Sequence, residues 1–308
     1  MTASALVWRV SRDEDAFPPQ LIDLDRAGDV EDAPDLLYGC GQTGALAALD
    51  IGETVTIVGS RRATAYGTAI ATGLARDLAS AGVTIVSGLA YGIDSAAHRG
   101  ALDAGGTTVA VLAGGPDVAQ PPSSLALYRR IASSGAVISE RAPGAIIGPR
   151  SFPVRNRIMA ALAKVTVVVE AAQRSGSTVT ARQAEAIGRT VGAVPGPVTS
   201  RASSGTNELI RDGALCVTSA EDVLDLLYGV GARSVSRAGP PLEPELGRVL
   251  LAVESGAGSP DAVAAATDLG GREVAIALTR LELVGYVASG PTGLYARTAL
   301  EAPSTIPS

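Results

Sequence analysis

Residues 54–82, TVTIVGSRRATAYGTAIATGLARDLASAG, decide the fold. TVTIV (54–58) is an unbroken β-branched, apolar run, with none of the alternation that one wet face would impose. Gly59 ends it, SRRAT (60–64) turns the chain, and AYGTAIATGLARDLASAG then repeats its apolar residues at helical spacing. A doubly buried strand followed at once by a helix is the unit of a parallel sheet. The unit recurs. VTIVS (83–87) leads through a glycine-rich turn into a helix running through His98 to Ala104. TTVAVLA (107–113), AVIS (136–139), VTVVVE (165–170), GAV (192–194) and ALCV (214–217) read as further strands, with helical stretches between most of them. The expected fold is α/β, an extended doubly wound parallel sheet.

The chain of 308 residues exceeds one small core. Residues 229–244, GVGARSVSRAGPPLEP, have linker composition. Three helical patterns follow, near 245–254, 260–267 and 271–284, and then YVASGPTGLYAR reads as strand, turn, strand. Three helices and a hairpin predict a small winged-helix domain. The expected division is a short acidic N-terminal extension over 1–34, the sheet domain over 35–228, the linker, and the winged-helix-like domain over 245–300. No apolar run is long enough for a bilayer, and MTASALVWRV lacks a secretory pattern. Cys40 and Cys216 are too few for a disulfide framework or a zinc site. A cytoplasmic setting, with no membrane contact, is expected.

Charge is unevenly placed. Residues 1–50 carry 3 basic and 10 acidic groups, a net of −7, while residues 141–211 carry 10 and 3, a net of +7. The whole-chain charge of −6 therefore does not exclude a polyanion. Within the basic segment lies SFPVRNRIMAAL (151–162), with one of the two phenylalanines of the chain.

Three strand ends carry small-residue turns at helix starts, where free N–H groups and the helix dipole favour anions. Gly59, Ser60 and Arg61 form the first. Ser87, Gly88 and Gly92 form the second, where Asp94 is positioned to cap the next helix. Ser175, Gly176 and Ser177, with Thr180 one turn on, form the third. In a doubly wound sheet all three lie along one rim, and several cradles in a row suit a chain of phosphates. Arg155 and Arg157 would point about 200° apart on a helix, so both face the rim only if Arg155 precedes the helix. Asn156 lies between them. Phe152 either stacks on a base or enters the core, and Arg155 alternatively pairs with Glu140 or Glu170. His98, the one histidine, lies inside a helix with no nucleophile nearby and reads as a structural hydrogen bonder. No metal cluster and no Ser/His/Asp or Cys/His arrangement is evident, so no metal, cofactor or catalytic residue is assigned.

VGSR, SGLAYGIDSAAHRGAL, GGTTVAVLAGG, FPVRNRI, VVVEAAQRSGSTVTA, GAVPGPV and SGTNELIRDGA follow one another in this order. Together they closely resemble the DNA-processing protein A family (DprA/Smf), over roughly residues 35–228. The resemblance implies an extended Rossmann domain that binds single-stranded DNA without sequence preference. It also implies protection of incoming DNA in natural transformation, loading of the RecA recombinase, and a homodimer formed through the end of that domain, here 209–228. By the same likeness Arg61, Phe152, Arg155 and Arg157 belong to the DNA pocket. GPDVAQPPSS departs from the pattern: Gln120–Pro121 and serines stand where the family usually has Tyr-Pro and a nearby Asn. The C-terminal part matches the family's winged-helix module in outline. In GREVAIALTRLELVG, Arg272 and Arg280 are offset by Glu273 and Glu282, which suits a protein-contact or regulatory module better than a duplex reader.

The expected function is thus non-catalytic. An alternative is a nucleoside-monophosphate phosphoribohydrolase on a related scaffold, for which Pro195–Gly196, Gly205–Thr206 and Glu208 are a partial match. A partner protein without DNA binding is the third reading.

Overall fold

TVTIV is a strand over exactly 54–58 in the computed structural model, and every one of its residues is buried. The model describes residues 7–145, 147–148, 150–235, 237–238, 242–290, 293–298 and 300–301. The chain forms two units, residues 1–233 and 234–308.

The elements of the first unit, in order, are β1 (Trp8–Ser11), β2 (Leu36–Gly41), α1 (Thr43–Ala47), β3 (Thr54–Val58), α2 (Ala65–Ser80), β4 (Thr84–Ser87) and α3 (Ile93–Asp103). There follow β5 (Thr108–Val111), α4 (Leu125–Ser134), β6 (Ala136–Ser139), α5 (Ser151–Leu162), β7 (Val165–Val168), α6 (Gly176–Ala186), β8 (Thr190–Ala193), α7 (Ser204–Arg211), β9 (Leu215–Cys216) and α8 (Ala220–Tyr228). The nine strands make one sheet in the order β1-β2-β6-β5-β4-β3-β7-β8-β9. From β6 to β9 all pairings are parallel. The order runs outward from β3 in both directions, so the topological switch point lies beside β3. Helices α2, α3 and α4 pack in series, and α5 packs on α6.

Two strands depart from the expected all-parallel sheet. β1 and β2 pair antiparallel with each other, and β2 antiparallel with β6. They come from the acidic stretch and its boundary, where no helix-strand alternation announced them. An antiparallel edge on a parallel sheet is common. Gly39 leaves room for the Trp8 indole, whose Nε1 donates to Gly41 O at 3.0 Å. Phe17, Leu21 and Leu24 of the same stretch are buried in the core shared with β5 and β6.

The β-branched residues explain the sheet's stability. Val55, Ile57, Ile85, Val86, Val109 and Val111 are fully buried, each contributing roughly 1.5–3 kcal/mol. Buried threonine hydroxyls return to backbone carbonyls: Thr56 donates to Met159 O at 2.7 Å and Thr108 to Ile85 O at 2.7 Å. His98 Nδ1 meets that Thr108 oxygen at 2.7 Å. Since the threonine proton goes to Ile85, His98 must donate from Nδ1. Burial, with Arg155 and Arg99 adding repulsion, pulls its pKa down to about 3, so it stays neutral.

The second unit contains β10 (Arg237–Ala238), α9 (Pro244–Glu254), α10 (Pro260–Thr267), α11 (Gly271–Val284), β11 (Val287–Ser289), β12 (Tyr295–Arg297) and β13 (Leu300–Glu301). β11 and β12 pair antiparallel as the wing. Leu246, Val249, Leu250, Val274, Leu278, Leu281 and Tyr286 fill its core. This is the expected winged-helix arrangement. Among the described residues no helix is long and apolar enough to cross a membrane.

Candidate nucleic-acid interface

The carboxyl ends of β3, β4 and β7 converge at the switch point. Three loops meet there, held by backbone contacts. Ser60 N donates to Glu170 O at 2.7 Å, and Ile93 N to Ser60 O at 3.2 Å. Gly92 takes φ +75°, and a Cβ there would strike the Ser60–Arg61 backbone. A Cβ at Gly59 would strike Ile93. These two glycines therefore bring loop against loop. Glu170, a residue the sequence suggested as a partner for Arg155, instead accepts from Thr64 N at 2.9 Å and Thr64 Oγ1 at 2.5 Å. It thereby anchors the N-terminus of α2, where Thr64 is the cap.

A groove of about 470 Å³ opens over this junction. Gly59, Ser60 and Arg61 form one wall; Phe152, Arg155 and Asn156 form a second; Ser175, Gly176, Ser177 and Thr180 form a third. Ser175 caps α6, and its Oγ lies 2.7 Å from Ser177 Oγ. The face of Gly176 is open. Asn156 Nδ2 donates to Gly176 O at 3.2 Å and ties the second wall to the third.

Arg61 is exposed, and its guanidinium lies over the Phe152 ring at 4.4 Å from the centroid. Among the described residues Arg61 forms no ion pair. Phe152 is half-buried, so it neither enters the core nor stands free. It divides the groove from a smaller cavity of about 160 Å³, lined by the apolar side chains of Leu112, Pro121 and Ile147 together with Tyr91 and Gln120. Gln120 and Pro121 of the departing loop thus reach the site.

The arginines of the FPVRNR segment part company. Helix α5 begins at Ser151, with Pro153 in its first turn, where a missing N–H costs nothing. Arg155 is therefore inside the helix and not in a preceding loop, and the two arginines diverge. Arg155 is 4% exposed; it donates to Val111 O and to Asn156 Oδ1, and it faces the groove from below. Burial pulls its pKa down to about 10, with Asp94 opposing the fall and Arg61 adding to it, so it remains charged. Burial holds the Asp94 carboxyl above its usual range, opposed by Arg155. Asp94 accepts from Ala90 N at 3.4 Å within the first turn of α3, and Gly92, not Asp94, occupies the cap position.

Arg157 does not face the groove. It pairs with Glu140 at 2.8 Å and donates to the carbonyls of Glu31 and Asp32. Its place in the expected DNA pocket is corrected: it fastens the N-terminal stretch to α5. Ser87 is corrected likewise. Its hydroxyl is fully buried and donates to Ile57 O at 2.6 Å, so it offers nothing to a ligand. Gly88 serves Arg155, whose head lies where a Cβ would be. Tyr91 and Thr64 are the site-building residues the sequence reading missed, and Glu170 was given the wrong partner. Tyr91, an aromatic in a glycine-flanked turn at a strand end, carried a usable signal.

Glu208 of the alternative enzyme pattern lies outside the groove, 3.7 Å from Arg211. Among the described residues no cluster of His, Cys, Asp or Glu could hold a metal ion.

The family model described as DNA recombination-mediator protein A matches residues 8–228, and the DprA winged helix domain matches 234–293. A DprA-type DNA processing protein of Mycobacterium tuberculosis is 51% identical over 179 residues, 58% of this chain and 46% of that protein. The chain thus spans about half the length of that relative. DNA processing protein A of Streptococcus pneumoniae superposes with a TM-score of 0.65 at 38% identity, covering 70% of this chain and 73% of the other. The Helicobacter pylori protein, solved in a study of its single-stranded DNA binding mode, gives 0.62 at 30% identity, over 71% and 95%.

Proposed function

The chain belongs to the DNA recombination-mediator protein A (DprA/Smf) family, and from that premise we propose that it binds single-stranded DNA along the switch-point rim without sequence preference. One observation carries the reading: an exposed guanidinium free of ion pairs, stacked on Phe152, stands over a groove walled by helix-start hydroxyls and an open glycine. Phosphates meet donors there, and a base meets an aromatic edge that tolerates any sequence. The contact set is Gly59, Ser60, Arg61, Phe152, Asn156, Ser175, Gly176, Ser177 and Thr180, with Arg155 adding positive potential from beneath.

The role is binding and not catalysis, in the cytoplasm. The protein protects incoming DNA in natural transformation and helps load the RecA recombinase onto it. It acts as a homodimer through 209–228. In support, β9 is the open edge of the sheet and exposes Leu215 and Cys216, a strand edge that a second copy can cover. The linker at 229–244 separates this binding domain, which takes in the N-terminal stretch from β1 onward and not only 35–228, from the 245–300 module that contacts protein. Arg280 is taken by Glu243 in a two-bond pair, so on α11 only Arg272 stands exposed without an ion pair among the described residues, too little for a basic reading face.

Fluorescence anisotropy with labelled oligo-dT, mixed-sequence single strands and duplex tests the reading, beside an assay for free base released from AMP. Similar affinity for both single strands, weaker duplex binding and no base release are expected. Base release, or indifference to single strands, refutes it.

A further inference from the structure

The rim continues beyond Phe152. A third cavity, of about 340 Å³, opens where α3 and α4 begin. Tyr91 stands in the wall that this cavity shares with the small apolar one. Its ring is 52% exposed, and its hydroxyl accepts from Ser123 Oγ at 3.0 Å, which holds the ring between the two. Arg99 of α3 and Arg130 of α4 line the far side. Arg99 is exposed and forms no ion pair among the described residues. Arg130 meets Asp103 at 2.8 Å through Nη2 alone, in a half-exposed pair of the kind that contributes little. Its other donors remain available.

Three cavities thus adjoin through shared walls. The sequence of linings is hydroxyl and guanidinium, then apolar and aromatic, then guanidinium and hydroxyl again. A flexible polyanion with planar side groups has that alternation of charge and flat apolar surface. We propose that the third cavity is a further phosphodiester subsite. The strand that occupies the switch-point groove crosses Tyr91 and lays a following phosphate between Arg99 and Arg130. The inference rests on the single-strand reading above and extends its footprint along the rim to α3 and α4.

The test is Arg99→Ala/Arg130→Ala in the full chain. It is titrated with oligo-dT of about 4 and about 16 nucleotides, the range that single-strand sites span. The phosphate held between the two arginines is one contact, and counterion release contributes about −0.7 to the salt slope per phosphate contact, so its loss makes the slope shallower by about 0.7. On the long oligonucleotide this is about 5-fold weaker binding at 0.1 M salt, vanishing towards 1 M. The short one, held in the groove, should bind the variant as it binds the unchanged protein. Arg99→Lys/Arg130→Lys should keep the slope, because a lysine still meets phosphate as a point charge. Unaltered affinity and slope on the long oligonucleotide overturn the proposal, as does an equal loss on both lengths. If the unchanged protein binds neither length, the single-strand reading itself fails, and the proposal falls with it.

Discussion

Gly88→Ala probes the least obvious dependence of the site. A Cβ on Gly88 would stand 2.6 Å from Arg155 Nη2 and 2.5 Å from Cζ, and closer still to Nη1. A surface arginine would swing aside. Arg155 is 4% exposed, bound to Val111 O, and balanced against the buried Asp94. If the head stays, the extra methyl is overpacking, at about 1–3 kcal/mol. If the head is expelled, Asp94 loses its counter-charge, and breaking a buried pair costs about 3–5 kcal/mol. Urea unfolding should therefore show a loss of about 1–5 kcal/mol for one added carbon. A double-mutant cycle locates the cause. In an Arg155→Ala background the methyl meets empty space, so the Gly88→Ala cost should shrink by at least about 1 kcal/mol. Additive effects would show that Gly88 and Arg155 do not share this space, and would refute the reasoning.

Arg157→Ala should cost about 3–5 kcal/mol in urea unfolding, from the pair with Glu140, while the folded variant keeps its affinity for single strands. Reduced affinity with intact stability would return Arg157 to the DNA pocket. His98 titrates near 6.5 when unfolded and near 3 when folded, so its contribution is complete above about pH 6.5 and is lost as pH falls towards 3. At pH 5 the loss is about 2 kcal/mol relative to neutral pH. Asp94, whose carboxyl is held up, acts in the opposite sense, so the readout is the difference between the unchanged protein and His98→Gln. No difference in pH dependence would contradict it. Limited proteolysis should cut first within 229–234, where Val230 is 91% exposed, and yield two resistant fragments.

The sheet was legible because its strands are buried on both faces, and apolar runs such as TVTIV and AVIS have no other home in a soluble fold. The helices of the second unit were legible through their helical apolar patterns, and Ser259 before Pro260 is a cap that the reading did not use. β1 and β2 escaped because pairing at a sheet edge leaves no periodic trace in four to six residues. At the site, the strand ends could be found from glycine and serine alone, but not what each small residue serves. Ser87 is turned into the sheet, and Gly88 accommodates a side chain 67 positions away. The arginines were misassigned by one local detail. Both could face the rim only if Arg155 preceded the helix, whereas α5 begins at Ser151 and turns Arg157 away from the groove.

The most direct test is the affinity for oligo-dT as a function of salt, measured for the unchanged protein and for Arg61→Ala/Phe152→Ala. With about four to six phosphates neutralised, log K should fall against log salt with a slope of about −3 to −4. The double variant should bind every single-stranded sequence more weakly by the same factor and with a shallower slope. A flat salt response, or a double variant that binds as the unchanged protein does, would contradict the assignment of this rim to DNA.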